Sequence, residues 1–188
     1  MNDIKLSIGI TGASGSIYAK RLLKKLQSLQ IDPEKVAVIF SDTAKQVWEY
    51  ELGQKVPLDL PFQTFDNSNL FAPPSSGSSG YNTMIIIPCS MGTLGRIVAG
   101  TANDLISRSA DVMIKERKKL IIVAREMPYS LIHLKNMEQI TLAGGIIIPA
   151  SPSFYSKPRT IEAIIDTVVD KTLQLAGYHF SSFSWGKE

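Results

Sequence analysis

Residues 4–30 read IKLSIGITGASGSIYAKRLLKKLQSLQ, which joins a short apolar run to an amphipathic segment through a turn of small residues. The run 4–10 is strand-like, and 16–30 is predicted to be a helix. The helix prediction rests on apolar side chains at helical spacing: Ala19, Leu22, Leu23 and Leu26. Glycines in the turn 11–15 let the backbone approach a ligand closely, and the N–H groups of a helix start favour an anion. The alternative is a tight turn in which Ser14 caps the helix.

The turn 11–15 excludes two common nucleotide-binding motifs. It has neither the G-x-G-x-x-G spacing of a dinucleotide fingerprint nor the Gly-Lys-Ser/Thr of a P-loop. A second small, polar turn, 90–93, follows the apolar run 84–88. Ligands of an open parallel sheet bind at the carboxyl ends of its strands, where both turns would lie. Two such turns at one edge favour a bound cofactor, and a mononucleotide fits better than a dinucleotide because only one phosphate loop has a basic partner nearby.

The same alternation of strand and helix continues along the chain. Further strands are predicted over 36–40, 84–88, 120–124 and 145–149, and further helices over 43–52, 102–116, 131–142 and 160–176. This order predicts an α/β fold with a mostly parallel sheet between helix layers. We expect one domain over 1–177 and a C-terminal tail over 178–188. The Pro/Ser/Gly-rich stretch 72–80 is interpreted as a long loop, with a flexible linker as the alternative.

The composition of the chain argues against a nucleic-acid-binding, secreted or membrane protein. The chain of 188 residues has a net charge of +3 and no dense run of Lys and Arg, so we expect no nucleic-acid partner. Its single cysteine allows no internal disulfide, which fits a reducing compartment. The N-terminus does not resemble a signal peptide, and no apolar run approaches the roughly 18 residues of a membrane span. We therefore expect a cytoplasmic location and no membrane association.

Several polar residues allow two interpretations. Arg125 and Glu126 directly follow a predicted strand, where charges need partners, although they would also suit a surface ion pair. Arg108 and Lys115 are seven positions apart, which places them on one face of a helix where both could bind the same anion. The alternative is that they belong to a solvated helix face. For Cys89 a small buried side chain is favoured over a nucleophile. The two histidines, His133 and His179, are expected to be structural, and we predict no metal site.

The chain resembles the flavin prenyltransferases, which work beside decarboxylases that need prenylated FMN. The resemblance covers nearly the whole chain, and its segments occur in order at matching spacing. They are Gly9-Ile10-Thr11-Gly12-Ala13-Ser14-Gly15, Ala72-Pro73-Pro74-Ser75-Ser76-Gly77-Ser78, Pro88-Cys89-Ser90-Met91-Gly92-Thr93-Leu94, Ala110-Asp111-Val112-Met113-Ile114-Lys115-Glu116-Arg117, Arg125-Glu126-Met127-Pro128, Ile132-His133-Leu134 and Pro149-Ala150-Ser151-Pro152-Ser153-Phe154-Tyr155. The resemblance implies a three-layer Rossmann-like flavoprotein fold, a group that also contains cysteine decarboxylases.

The resemblance also implies residue roles. FMN would be bound by Gly12, Ala13, Ser14, Ser41, Ser90, Met91, Gly92, Thr93 and Arg125. Catalytic roles near the flavin would fall to Ser14, Glu51 and Glu126. The phosphate of the prenyl donor would be held by Arg108, Lys115, Tyr155 and Lys171. The family has arginine at the position of Lys171, and lysine keeps the charge but loses the two-pronged grip. Trp185 resembles an aromatic residue of the family's tail.

The activity implied is transfer of a dimethylallyl group from dimethylallyl phosphate to N5 and C6 of reduced FMN. The product, prenylated FMN, would serve a partner decarboxylase, and the family forms symmetric homo-oligomers, often dodecamers. Basic side chains in place of a metal would stabilise the leaving phosphate. Two alternatives remain: a non-catalytic FMN-binding subunit of a decarboxylase, and a flavin-dependent cysteine decarboxylase. The second lacks support, because the early histidine and P-x-M-N segment of those enzymes do not occur here.

Overall fold

A computed structural model describes residues 4–57, 59–183 and 186. Its core is a six-stranded sheet in which every neighbouring pair of strands is parallel. The strands are β1 Leu6–Ile10, β2 Val36–Phe40, β3 Gln63–Asp66, β4 Thr83–Cys89, β5 Lys119–Ala124 and β6 Ile146–Pro149. Their spatial order, β3-β2-β1-β4-β5-β6, is that of a Rossmann-like sheet. The predicted α/β fold with a parallel sheet is confirmed.

Among the described residues, six α-helices cover both faces of this sheet. They are α1 Ser16–Ser28, α2 Asp42–Leu52, α3 Met91–Val98, α4 Leu105–Lys115, α5 Leu131–Leu142 and α6 Ile161–Ala176. Buried residues of α1, α2 and α6 share one hydrophobic cluster, and those of α3, α4 and α5 share the other. Within the described part, no helix is both long and apolar enough to cross a bilayer. The molecule therefore has the three layers that the resemblance implies.

The strand sequences explain why the sheet is central. In β4, Ile85 and Ile87 pack into one cluster, whereas Met84 and Ile86 pack into the other. Successive side chains of a strand point to opposite faces, so a strand that is covered on both faces is apolar along most of its length. All seven residues of β4 are buried, as are all five of β1 and β2.

Two elements were not predicted. β3 is a polar edge strand, three of whose four residues are exposed, so its sequence has no apolar alternation. It forms by pairing with β2. Helix α3 has only eight residues and includes two glycines, which are poor helix formers. Its amphipathic face packs against the second cluster, and Ser90 caps its start.

The stretch 72–80 is a packed loop, so the linker interpretation is wrong. Carbonyl oxygens along it accept hydrogen bonds from three basic side chains. Lys5 donates to Ser79 at 2.8 Å, Lys118 to Gly77 at 2.8 Å and Arg108 to Ser75 at 3.2 Å. The loop is thereby tied to the residue before β1, to α4 and to the turn that follows α4.

The C-terminal segment continues from Gly177, which ends α6 at a φ of 109°. Tyr178 is buried, and Phe180 packs against the first cluster beneath the Lys25 ammonium. Trp185 lies outside the described residues. The division into a domain 1–177 and a tail 178–188 stays a prediction.

Candidate active site

The carboxyl edge of the sheet brings together the two small, polar turns found in the sequence. The Thr11 hydroxyl donates to the Pro88 carbonyl at 2.8 Å and accepts from the Ser90 N–H at 2.8 Å. A single buried hydroxyl thus joins the turn after β1 to the turn after β4. The residues joined by these bonds are 77 and 79 positions apart in sequence, and only the parallel pairing of β1 with β4 makes them neighbours.

Glu51 closes the N-terminus of α1. Its carboxylate accepts from the Gly15 N–H at 2.9 Å and from the Ser16 N–H at 2.7 Å. Gly15, at a φ of 108°, is the cap residue and makes no side-chain cap. The alternative in which Ser14 caps this helix is therefore wrong, because the carboxylate takes the N–H groups that a cap would bind.

These bonds keep the Glu51 carboxyl ionised. Burial raises its pKa, but a hydrogen bond from the Ser14 side chain and those from the two backbone N–H groups together lower it further. The net pKa lies below the ordinary value because the carboxylate, and not the neutral acid, accepts all of these bonds. Because the Glu51 carboxylate occupies the N-terminus of α1, a phosphate has less room to bind there.

A cavity of about 380 Å³ lies between the N-termini of α2 and α3. Ser41 caps α2 by accepting from the Ala44 N–H at 3.1 Å, and Ser90 caps α3 by accepting from the Thr93 N–H at 3.3 Å. The cavity is lined by four residues of the predicted FMN site, Gly12, Ser41, Ser90 and Thr93, together with Asp42, Thr43, Arg96, Asn103 and Asp104. Two helix N-termini that face one cavity favour an anion within it.

The other predicted FMN residues surround this edge in different ways. Met91 is buried in the second cluster. Gly92 is exposed in the first turn of α3, and Ala13 is buried. Arg125 donates from Nε to the Ser14 carbonyl at 3.0 Å, which ties the end of β5 to the first turn.

Glu126 has fewer contacts than Glu51. Its Oε1 accepts from the Met127 N–H at 3.0 Å. No ion pair joins Arg125 to Glu126 among the described residues, so the surface-pair interpretation is wrong. The carboxylate is half-buried beside the exposed Met127, at the edge where a ligand would lie.

The four residues predicted to hold the donor phosphate are spread over the chain. Arg108 pairs with Asp111 at 2.8 Å, and Lys115, at the end of α4, pairs with Glu116 at 2.7 Å. Lys115 lies just before the amino end of β5, whereas Tyr155 follows the carboxyl end of β6. A strand of this length separates the two edges by roughly 20 Å. Lys171 is exposed on α6. One chain therefore does not bring all four together.

The remaining candidates have structural surroundings. Burial raises the pKa of the Cys89 thiol to about 12, which keeps it neutral and unreactive. His133 Nδ1 accepts from the Ser130 N–H at 3.2 Å as part of a capping box. His179 is exposed at the opposite edge of the sheet. Among the described residues no group of histidine, cysteine and acidic side chains would hold a metal ion.

Sequence analysis missed five residues that line the cavity: Asp42, Thr43, Arg96, Asn103 and Asp104. The signal for Arg96 was its position three residues after Thr93, which places both on one face of a helix. That signal could not be used because α3 itself was not predicted. Asp104 belongs to a capping box at the start of α4, an element whose predicted start was three residues early.

Comparisons with known proteins agree with this architecture. The family model described as Flavoprotein matches residues 1–173. Flavin prenyltransferase UbiX of Methanocaldococcus jannaschii is 41% identical over 186 residues, which cover 97% of this chain and 99% of that protein. A dodecameric FMN-dependent UbiX-like decarboxylase from Escherichia coli O157:H7 superimposes with a TM-score of 0.92 at 37% identity, covering 98% of this chain and all of that one. AnUbiX (PadA1), solved in complex with FMN and dimethylallyl pyrophosphate, superimposes with a TM-score of 0.87 at 35% identity and covers 97% of this chain and all of its own.

Proposed function

This chain belongs to the flavin prenyltransferases of the flavoprotein family, and we propose that it joins a dimethylallyl group from dimethylallyl phosphate to N5 and C6 of reduced FMN. The observation that carries the proposal is near-full-length identity of about two residues in five to a flavin prenyltransferase. The prenylated FMN so formed would be used by a partner decarboxylase in the cytoplasm.

The residues of the carboxyl edge fit a flavin mononucleotide. The cavity between α2 and α3 offers hydroxyl groups and two helix N-termini to a phosphate. The N-terminus of α1 is closed by Glu51, so we assign the phosphate to the cavity and the ring to the side of Ser14 and Arg125. When bound, the reduced flavin supplies the nucleophilic atoms N5 and C6.

The two glutamates are suited to different tasks. Glu51 is held by backbone N–H groups and has a lowered pKa, so it is a weak base that fixes the first turn. Glu126 accepts one backbone hydrogen bond at 3.0 Å. We assign to Glu126 the removal of the proton at C6 and to Glu51 the positioning of Ser14 beside the ring.

The donor phosphate needs residues from more than one chain. Lys115 lies at the end of α4, just before the amino end of β5, whereas Tyr155 lies at the carboxyl edge. Large apolar side chains are exposed near that edge, including Met127, Leu131 and Ile132. Exposed apolar surface of this kind favours a protein interface. We infer that a homo-oligomer joins α4 of one subunit to the Tyr155 and Lys171 of another, and their charges stabilise the leaving phosphate.

The decisive experiment is a mass spectrum of the flavin released after anaerobic incubation with reduced FMN and dimethylallyl phosphate. We expect the mass of FMN plus one five-carbon prenyl unit, with no such product when the donor is omitted. Recovery of unchanged FMN from protein that binds it would identify the non-catalytic subunit instead. Release of carbon dioxide from a peptide with a C-terminal cysteine would identify the cysteine decarboxylase.

A further inference from the structure

Arg96 places a guanidinium at the cavity between α2 and α3. Its Nη2 donates to the Thr93 hydroxyl at 3.1 Å, one helical turn back. A Cβ built on Gly92 would lie 4.0 Å from Nη1. The side chain therefore folds back towards the N-terminus of α3 and joins the lining of the cavity.

The hydrogen bonding of this guanidinium is incomplete. Its Nε is buried and has no hydrogen-bond partner among the described residues. Its contact with Asp104 is long, at 3.5 Å from Nη2 to Oδ2. Arginine carries five N–H donors, and buried donors are nearly always paired. A ligand with several acceptor oxygens would complete the set.

Arg96 offsets the negative charge of the acidic residues that line the cavity, and an anion could not otherwise bind there favourably. The lining contains the carboxylates of Asp42 and Asp104, and Arg96 is its one cation among the described residues. Asp42 already pairs with Lys45 at 2.9 Å. Asp104 accepts from the Ser107 N–H at 2.8 Å and hydroxyl at 2.7 Å. Without Arg96 the cavity would present two carboxylates to a phosphate, and like charges repel.

We propose that Arg96 binds the phosphate of FMN and is the residue by which this chain selects FMN over riboflavin. The inference rests on the proposed function, because it assigns a further residue to the same flavin site. The guanidinium would form charge-assisted hydrogen bonds with the phosphate, and the hydroxyls and N–H groups at the starts of α2 and α3 would complete the contacts. Riboflavin lacks the phosphate and gains nothing from Arg96.

The test compares the affinities of Arg96→Ala and Arg96→Lys for FMN and riboflavin by flavin fluorescence titration. The matched control is Arg117→Ala, which removes the same charge from an exposed residue at the opposite edge. We expect Arg96→Ala to weaken FMN binding about 10- to 100-fold, as for a lost hydrogen bond to a charged group, and to leave riboflavin binding unchanged. Arg96→Lys should retain part of the preference for FMN over riboflavin, because lysine keeps the charge. Arg117→Ala should retain this preference in full.

Several outcomes would overturn the assignment. Unchanged FMN affinity in Arg96→Ala would do so, as would an equal loss of FMN and riboflavin binding, which would indicate a disturbed fold. If Arg96→Ala does not fold, as judged by circular dichroism, Arg96→Gln replaces it under the same criteria. Failure of the unmodified protein to bind FMN would refute the proposed function itself, and it is distinguishable because no variant is involved.

Discussion

Glu51 and Glu126 differ in what holds their carboxylates. Glu51 lies on α2 but binds the start of α1, where two backbone N–H groups donate to it at 2.7 and 2.9 Å. Glu126 has one such bond, from the next residue in the chain. The hydrogen bonds to Glu51 lower its pKa, which suits a carboxylate that holds the first turn in place. The surroundings of each residue therefore predict how its replacement will fail.

Glu126→Gln keeps the shape of the side chain but removes the group that would take a proton. We expect FMN affinity to be unchanged and the single-turnover rate of prenyl transfer to fall by about 10²–10⁴-fold, the usual value of a general base. Stopped-flow absorbance under anaerobic conditions measures the rate. An unchanged rate would remove Glu126 from the mechanism.

Glu51→Gln is expected to lower stability near neutral pH. The folded-state pKa of Glu51 lies below the ordinary value, so its stabilising effect is complete above the unfolded-state pKa and is lost as pH falls through the lower folded-state value. The carboxylate is exposed, so we expect only about 0.5–1 kcal/mol, the low end for a helix cap.

Thermal melts from pH 7 down to pH 3 check this prediction. The difference between the unmodified protein and Glu51→Gln should shrink as the pH falls through the acid range. Glu49→Gln, an exposed glutamate on the same helix, serves as the control and should show no such difference at any pH. A Glu51→Gln difference that stays constant over this range would contradict the ionised cap.

Lys171→Ala should affect the donor and not the flavin. Loss of a charged hydrogen bond to phosphate predicts an apparent KM for dimethylallyl phosphate that is about 10- to 100-fold higher, with FMN affinity unchanged. Lys171→Arg should be tolerated, because arginine grips a phosphate through two prongs. Steady-state titration with the donor tests both variants. An unchanged KM in Lys171→Ala would show that another residue holds the phosphate.

At the scale of elements, the turn 11–15 after β1 packs closely against the start of α2 at Gly12. A Cβ added there would lie 2.4 Å from Cγ2 of Thr43 and 2.6 Å from its Cβ. The turn after β1 and the start of α2 can approach this closely only because residue 12 has no side chain. The contact between Gly12 and Thr43 therefore fixes the distance between the turn after β1 and the start of α2, which both line the cavity.

Gly12→Ala should separate these elements and destabilise the protein. Overpacking of this kind costs about 1–3 kcal/mol, or roughly 2–12 °C in Tm. Gly92→Ala is the matched control, because the nearest atom to its Cβ would be 4.0 Å away and alanine favours the helix. Differential scanning fluorimetry compares the two. Equal Tm values for both variants would show that the contact at Thr43 is relieved at no cost.

At the scale of the whole molecule, one chain places four of the predicted FMN residues around one cavity but separates two of the residues predicted to hold the donor. Gly12, Ser41, Ser90 and Thr93 line one cavity. Lys115 and Tyr155 lie at opposite edges of the sheet. This division predicts that FMN binding survives in a lone subunit, whereas transfer needs the oligomer.

Complementation between two variants that bind the donor weakly, assayed at a donor concentration below their KM, tests that division. Lys115→Ala and Lys171→Ala each remove one charge from the donor site. If the site is shared between subunits, co-expression of the two chains should restore part of the transfer activity, because some sites receive both native residues. Mixed oligomers are purified with two different affinity tags. Activity no higher than that of either parent would indicate that both charges act within one chain.

Prediction from sequence succeeded where a local pattern carries the information. The buried strands β1, β2, β4 and β5 have apolar runs, and α6 is the helix with the clearest apolar stripe; all five were located. It failed for β3, whose four residues are mostly exposed and polar, and for α3, whose two glycines conceal the helix. Pairing with β2 stabilises β3, and packing against the second cluster stabilises α3. A local sequence pattern carries no information about these tertiary contacts.

The sequence by itself determined the parallel α/β fold and the carboxyl edge at which small, polar turns gather, because strand and helix periods are local properties of the chain. Only the tertiary structure decided how that edge is divided. It brought Glu51 across 36 residues onto Gly15, and it directed Arg96 and Asp104 into the cavity beside Ser41. These contacts depend on sheet order and helix packing, which fix distances between residues that are remote in sequence. The α1 terminus is therefore occupied by the Glu51 carboxylate, and this is why we assign the phosphate to the cavity between α2 and α3.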